Sequence, residues 1–62
     1  MQLPSNPAIL LSYVNTKLRN NYRSLDELCR KLHADRTQIE SNLSDIGYYY
    51  DNIQNRFIFK KL

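Results

Sequence analysis

The chain of 62 residues carries nine Lys and Arg against six Asp and Glu, a formal net charge of +3, and 42% of its residues are hydrophobic. A domain of about 60 residues buries only about 60% of the surface of its unfolded chain, so we expect a single domain over residues 1–62 with one small core. That size leaves no room for a large substrate cleft, so we expect no enzyme and no small-molecule substrate. The mild positive charge permits a polyanionic partner without requiring one.

A first helix is predicted from about residue 7 to residue 20. Asn6 supplies the N-cap, and Pro7 takes the first helical position, where its missing N–H is not needed. One face of this helix is apolar at helical spacing and comprises Leu10, Leu11, Val14 and Leu18. Ile9 and Tyr13 widen the apolar face, and two interpretations stay open: they contact a partner subunit, or they cover a C-terminal hairpin.

Two shorter helices are predicted at about residues 25–32 and 36–46, joined by a turn at His33 and Ala34. Ser24 and Asp35 are their expected N-caps, each followed three residues later by Glu or Gln, which is the spacing of a capping box. The apolar face of the first of these helices comprises Leu25, Leu28, Cys29 and Leu32, and the buried stripe of the second comprises Ile39, Leu43 and Ile46. Gly47, the only glycine, is expected to end the last helix in the left-handed conformation. The short connection favours a helix-turn-helix; the alternative is a helical hairpin that only closes the core.

The remaining residues predict an antiparallel hairpin over about residues 48–60. Three consecutive tyrosines and residues 56–60 are rich in types that favour strands, and the polar residues between them favour a loop of four or five residues. Three helices followed by a hairpin give an α+β fold class, a small winged-helix-like domain that contains a helix-turn-helix.

The residue types that carry catalysis are scarce. His33 and Cys29 are the only histidine and cysteine, one expected in an exposed turn and the other on a buried helix face, where a thiol is inert. No spacing fits a set of metal ligands, and one glycine does not make a phosphate-binding loop. We therefore expect no catalytic residue, cofactor or metal. We find no signal peptide and no apolar run near the about 20 residues of a membrane span, so we expect a cytoplasmic chain with no membrane contact.

Nucleic-acid binding is the first functional hypothesis, because a winged helix presents the second helix of the pair to DNA bases. Arg suits guanine and Asn or Gln suits adenine, and the first turn of a recognition helix usually contacts the bases. The predicted base contacts are Arg36, Thr37, Gln38, Ser41 and Asn42. The predicted phosphate contacts are Arg56, Lys60 and Lys61 of the hairpin, with Asn52 and Asn55 near Arg56.

Three acidic residues on the same helix, Asp35, Glu40 and Asp45, oppose this hypothesis, since most affinity for DNA comes from neutralised phosphates. The alternative is a protein-interaction module, because the same fold also serves protein contacts. Its surfaces would be the wide face of the first helix, the tyrosines, which are favoured in interfaces, or a free hairpin edge. The partner is then either a second copy of the chain or another protein.

One long segment resembles a family of very short bacterial proteins, the DUF4250 group, a domain of unknown function: L-P-S-N-P-A-I-L-L-S-Y-V-N-T-K-L-R, followed by S-L-D-E-L-C and I-G-Y-Y-Y-D. The resemblance extends from Leu3 to about Phe59. It implies a bacterial, cytoplasmic, stand-alone domain and transfers no activity and no site residue. Within it, Asn15, Thr16 and Lys17 form a polar segment that helix packing does not explain, and we hypothesise that this segment contacts a partner or the start of the hairpin.

Overall fold

The computed structural model describes residues 3–60. Three helices, α1 (Pro7–Asn20), α2 (Leu25–Leu32) and α3 (Arg36–Ser44), precede two strands, β1 (Tyr48–Asp51) and β2 (Arg56–Phe59), which pair as an antiparallel hairpin. The predicted α+β class and the predicted order of elements are therefore confirmed. Within residues 3–60, no helix is long and apolar enough to span a lipid bilayer.

The first two helices begin at the predicted caps. The Asn6 side chain accepts hydrogen bonds from two main-chain N–H groups of the first turn of α1, and Pro7 follows it. At the start of α2 the Ser24 hydroxyl accepts from the Glu27 N–H at 3.1 Å. The second half of the capping box differs from the prediction, because the Glu27 carboxylate accepts from the N–H of Arg23 rather than from that of Ser24. The Glu27 carboxylate thus fixes the main chain at Arg23, the residue before the N-cap.

The core lies between the three helices and the inner face of the hairpin. Its buried members come from every element except β1 and are Leu10, Val14, Leu18, Leu25, Leu28, Cys29, Ile39, Leu43 and Phe57. Ile46 was predicted among them, and this prediction is wrong, since 36% of Ile46 is exposed. The reason is local, because α3 ends at Ser44 rather than near residue 46. Residues 45–47 form a turn, where helical spacing no longer decides which side chains point toward the core.

That turn ends at Gly47, whose φ of 86° confirms the predicted left-handed conformation. A Cβ at this position would lie 2.8 Å from an edge atom of the exposed Phe59 ring, so the ring would have to shift to admit a larger residue. The Gly47 carbonyl accepts from the Lys60 N–H at 2.6 Å, which extends the hairpin pairing one step beyond the strands. Gly47 therefore ends the turn between α3 and β1, and its carbonyl also bonds to the main chain just after β2.

In the hairpin, Tyr48 lies opposite Phe59 and Tyr50 opposite Phe57. Residues directly opposite each other in an antiparallel pair share a face, so these four aromatic residues lie on one side of the sheet. Phe57 is buried with 2% exposed, whereas Phe59 is 59% exposed. The loop spans residues 52–55, as predicted, and the Asp51 carboxylate accepts from two of its N–H groups.

Candidate functional site

Arg36, the first predicted base contact, is engaged within the protein. Its guanidinium donates to the Asp26 carboxylate at 2.5 Å and to the Glu40 carboxylate at 3.4 Å, and it lies 5.6 Å from the centre of the Tyr50 ring. The hydrogen bond that Arg36 donates to Asp26 is the main reason that the pKa of Arg36 is raised, and burial acts in the opposite direction. The side chain stays 40% exposed, but it has two carboxylate partners that a guanine base would have to displace.

The other predicted base contacts form one polar stripe along α3. Thr37, Gln38 and Ser41 are exposed, and Asn42 is half-buried. Asp35 caps the helix by accepting from the Thr37 N–H at 2.9 Å, as predicted. Gln38 does not complete a capping box, because its amide turns along the helix and donates to Asn42 at 3.4 Å. The structure thus places the predicted base contacts together, but the one positive charge among them, Arg36, is paired with two carboxylates.

The predicted phosphate contacts lie at the two ends of β2. Arg56 and Lys60 are both exposed, and neither forms an ion pair within residues 3–60. The Arg56 Nε donates to the Gln54 side chain at 3.1 Å, which holds the guanidinium beside the loop. Lys61 lies outside the described residues. No hydrogen bond joins the described members of this set to the predicted base contacts on α3.

Asn15 is the residue whose role the sequence left open, and it bonds to the hairpin. Its Oδ1 accepts from the Phe57 N–H at 2.7 Å, and its Nδ2 donates to the Phe57 carbonyl at 3.1 Å. One side-chain amide thus satisfies both main-chain groups of a strand residue, as a neighbouring strand would. Of the two hypothesised contacts, a partner or the start of the hairpin, Asn15 makes a hairpin contact, but with β2 rather than with the start of the hairpin.

These two bonds show which main-chain groups of the hairpin point outward from its two strands. Because Phe57 turns its N–H and carbonyl away from β1, its pair with Tyr50 is a non-hydrogen-bonded pair, and such pairs alternate along the ladder. Tyr48 and Tyr50 must then point their own main-chain groups outward from β1. Within residues 3–60 those groups have no hydrogen-bond partner. Asn15 therefore covers the outer edge of β2, whereas the outer edge of β1 is unpaired.

Asn55, which was expected beside Arg56 in a wing contact, is used inside the fold. Its Nδ2 donates to the carbonyls of Leu18 and Tyr22 at 3.1 and 2.9 Å, and its Oδ1 accepts from the Tyr50 hydroxyl at 2.7 Å. The same hydroxyl accepts from the Leu25 N–H at 3.2 Å. Asn55 also has a φ of 54°, a left-handed conformation that Asn tolerates better than most residues. The network fixes the hairpin loop to the ends of two helices.

Neither of the two reactive side chains forms a catalytic arrangement. Burial raises the pKa of the Cys29 thiol, with a smaller lowering by Arg36, so this buried group is held as a neutral thiol. His33 is exposed and ends α2 in the left-handed conformation with a φ of 54°. Among residues 3–60 no three His, Cys, Asp or Glu side chains are grouped to hold a metal ion.

A model of the family described as a domain of unknown function, DUF4250, matches residues 4–57. Since the match extends over most of the chain, this protein belongs to that family. No curated protein and no solved structure matches the chain. The likeness to a winged helix accordingly rests on the order of the elements alone.

Proposed function

We propose that this member of the DUF4250 family is a non-enzymatic protein-interaction module that pairs with a second copy of itself through the outer edge of β1. The observation that carries the proposal is the unpaired set of main-chain groups on Tyr48 and Tyr50. An open strand edge is a template for another strand, and proteins usually blunt it with Lys, Pro or a bulge. β1 has the sequence YYYD and contains neither Lys nor Pro.

The pattern of outward groups is self-complementary. If two copies of β1 meet about a two-fold axis at Tyr49, Tyr48 of one copy lies opposite Tyr50 of the other. Each such pair exchanges two hydrogen bonds, so the two pairs together make four. Every outward N–H and carbonyl of Tyr48 and Tyr50 then has a partner, and the two hairpins form one four-stranded sheet.

The side chains around the axis favour the same arrangement. Tyr49 is 46% exposed, and at the axis it would face Tyr49 of the second copy, where cross-strand aromatic pairs contribute about 0.2–1 kcal/mol. The one charge on the strand, Asp51, would lie opposite Gly47 of the second copy. Its carboxylate already accepts from the loop N–H groups of Ile53 and Gln54, so it is turned toward its own chain. A marginal core of this size also gains from association.

Sedimentation velocity over a wide range of protein concentrations tests the pairing, with amide hydrogen exchange as the local readout. We expect a reversible dimer, and we expect exchange of the Tyr48 and Tyr50 amides to slow as the dimer forms. Tyr49→Lys places like charges face to face and should abolish the dimer. Ile53→Lys is the matched control, because Ile53 is 92% exposed in the loop and should leave the dimer intact.

Two results would contradict the proposal. The first is sedimentation as a monomer at every protein concentration, which would show that the strands do not pair. A dimer that tolerates Tyr49→Lys, with Tyr48 and Tyr50 amides still exchanging freely, would locate the interface elsewhere.

Nucleic-acid binding is the second candidate, favoured by the exposed Arg56 and Lys60, which form no ion pair within residues 3–60. The carboxylates beside Arg36 make α3 the weaker surface for it, since phosphate neutralisation dominates affinity for DNA. Fluorescence anisotropy with a labelled random duplex at two salt concentrations distinguishes the surfaces. Binding through the hairpin should weaken with Arg56→Gln, whereas binding through α3 should weaken with Arg36→Ala.

A further inference from the structure

We infer that the groove between α1 and the start of β2 binds a phosphate group, held by Arg19 and Arg56. The groove has a volume of about 470 Å³. The side chains of α1 that line it include Ser12, Thr16 and Arg19, and the hairpin contributes Gln54 and Arg56. Among the described residues no Asp or Glu lines it, so the two arginines border a cavity whose lining carries no carboxylate. This site is separate from the β1 edge and does not depend on the dimer.

Neither arginine forms an ion pair within residues 3–60; the nearest acidic neighbour of Arg56 is Asp51 on the opposite strand, whose carboxylate is bonded to Gln54 and to loop N–H groups. The ion pairs within residues 3–60 all belong to Arg36. Arg56 bonds through Nε to Gln54, which orients the guanidinium and leaves its two terminal nitrogens available. Arg19 forms no hydrogen bond within the described residues.

The end of α1 does not itself require the Arg19 charge. Cations near a helix C-terminus usually satisfy its last carbonyls and offset its dipole. Here the Asn55 amide already donates to the carbonyls of Leu18 and Tyr22. Lys17 also lies in the last turn. The Leu18 carbonyl thus has a partner other than Arg19, and Lys17 supplies a second cation to the helix end, so this end is stabilised without a contact from Arg19.

The remaining polar groups of the groove suit a phosphate. Ser12, Thr16 and Arg19 fall at positions i, i+4 and i+7, so they lie on one face of α1. Both hydroxyls are exposed and form no hydrogen bond within residues 3–60, which leaves two donors beside the guanidinium groups. Arginine matches the oxygens of phosphate with paired donors, and two arginines match the charge of a phosphate dianion.

The groove wall is also held in place before any ligand arrives. Asn15 and Asn55 line it as well, and their amides are bonded to main-chain groups of β2 and of α1. A preformed wall lowers the ordering that binding requires. The volume leaves room for more than the phosphate itself, so the group can belong to a free phosphate compound or to a nucleic-acid strand.

Titration followed by two-dimensional NMR tests the site, with inorganic phosphate as the first probe and chloride at equal ionic strength as the reference. We expect saturable shifts at Ser12, Thr16 and the two arginine side chains. Arg19→Gln and Arg56→Gln should each weaken binding about tenfold or more, as expected for loss of a charge-assisted bond. Arg23→Gln is the control: it makes the same charge change at an exposed residue outside the groove.

Adenosine monophosphate and a short single-stranded oligonucleotide identify the source of the phosphate. Shifts at the groove with the monophosphate alone assign the site to small phosphate compounds, and competition by the oligonucleotide assigns it to a strand. The inference fails if inorganic phosphate and adenosine monophosphate give no saturable shift at the groove. It also fails if Arg23→Gln weakens binding as much as the groove variants, because net charge would then explain the effect.

Discussion

Replacing Asn15 by Ala tests the contact that fixes the hairpin to the helices. In the folded protein the Asn15 amide is the partner of both the N–H and the carbonyl of Phe57. Alanine is a good helix former, so the substitution does not weaken α1 itself. Any loss of stability therefore reports on the two hydrogen bonds that join α1 to β2.

The expected size follows from the burial of Phe57, of which only 2% is exposed. A buried donor or acceptor that loses its partner costs about 1–3 kcal/mol. Asn15 lines an open groove in which water could replace its amide, so we take the lower part of that range for the two groups together, about 2 kcal/mol. Small cores supply about 3–5 kcal/mol, and each kcal/mol shifts Tm by about 4–8 °C in domains of this size. The expected fall in Tm is about 10 °C.

Thermal and urea unfolding followed by circular dichroism measure the effect. Thr16→Ala is the control, because Thr16 is the exposed neighbour and forms no hydrogen bond within residues 3–60; its effect should stay below about 0.5 kcal/mol. Asn15→Asp adds a second test. The carboxylate still accepts from the Phe57 N–H but opposes its carbonyl, and protonation restores a donor, so this variant should regain stability as pH falls. An Asn15→Ala protein as stable as the wild type would refute the reasoning.

Three further outcomes are expected in the same unfolding assay. Gly47→Ala should lose about 1–2 kcal/mol, because Ala is strained at a φ of 86° and its Cβ approaches the Phe59 ring; an unchanged midpoint would contradict the turn. Tyr50→Phe should lose about 1–2 kcal/mol through the hydroxyl that joins the hairpin loop to α2, while Tyr49→Phe, which removes an exposed hydroxyl, should lose little. Burial raises the pKa of Cys29, so the folded state holds the thiol proton more tightly than the unfolded state does. The resulting stabilisation is complete below the unfolded pKa and is lost as pH rises through the folded pKa, so the stability advantage of the wild type over Cys29→Ala should shrink in that alkaline window. A difference in stability that stays constant across this window would contradict the prediction.

Local sequence signals were sufficient wherever a residue acts on its immediate neighbours. The caps at Asn6, Ser24 and Asp35 were predictable because each side chain accepts from an N–H group only two or three residues away. Gly47 in the left-handed conformation and the polar hairpin loop follow from the same short-range rules. Most of the core was also predictable, since helical spacing selects the residues of one face. These features explain why the α+β class and the element order are confirmed.

Errors arose where a local rule was applied beyond the element that supports it. Ile46 was assigned to the core by helical spacing, but α3 ends before it. Gln38 has the right spacing for a capping box, yet its amide bonds to Asn42. In both positions the residue type and the spacing fit the expected pattern, but the local geometry of α3 gives the side chain a different environment or partner.

The candidate sites depend on contacts between residues distant in the chain, and only the tertiary structure decided them. Arg36 was a predicted base contact because arginine suits guanine, but its bond to Asp26 requires α2 to lie beside α3. Asn15 is separated from Phe57 by most of the chain, and no periodicity links the two. That contact also fixes the register of the ladder, and with it the outward direction of the main-chain groups of Tyr48 and Tyr50 on β1. The sequence by itself determined the helices, the turns and the apolar faces, since these arise from interactions among near neighbours. The tertiary structure decided which polar groups are already satisfied and which remain available, since a hydrogen bond depends on how the packed elements face one another.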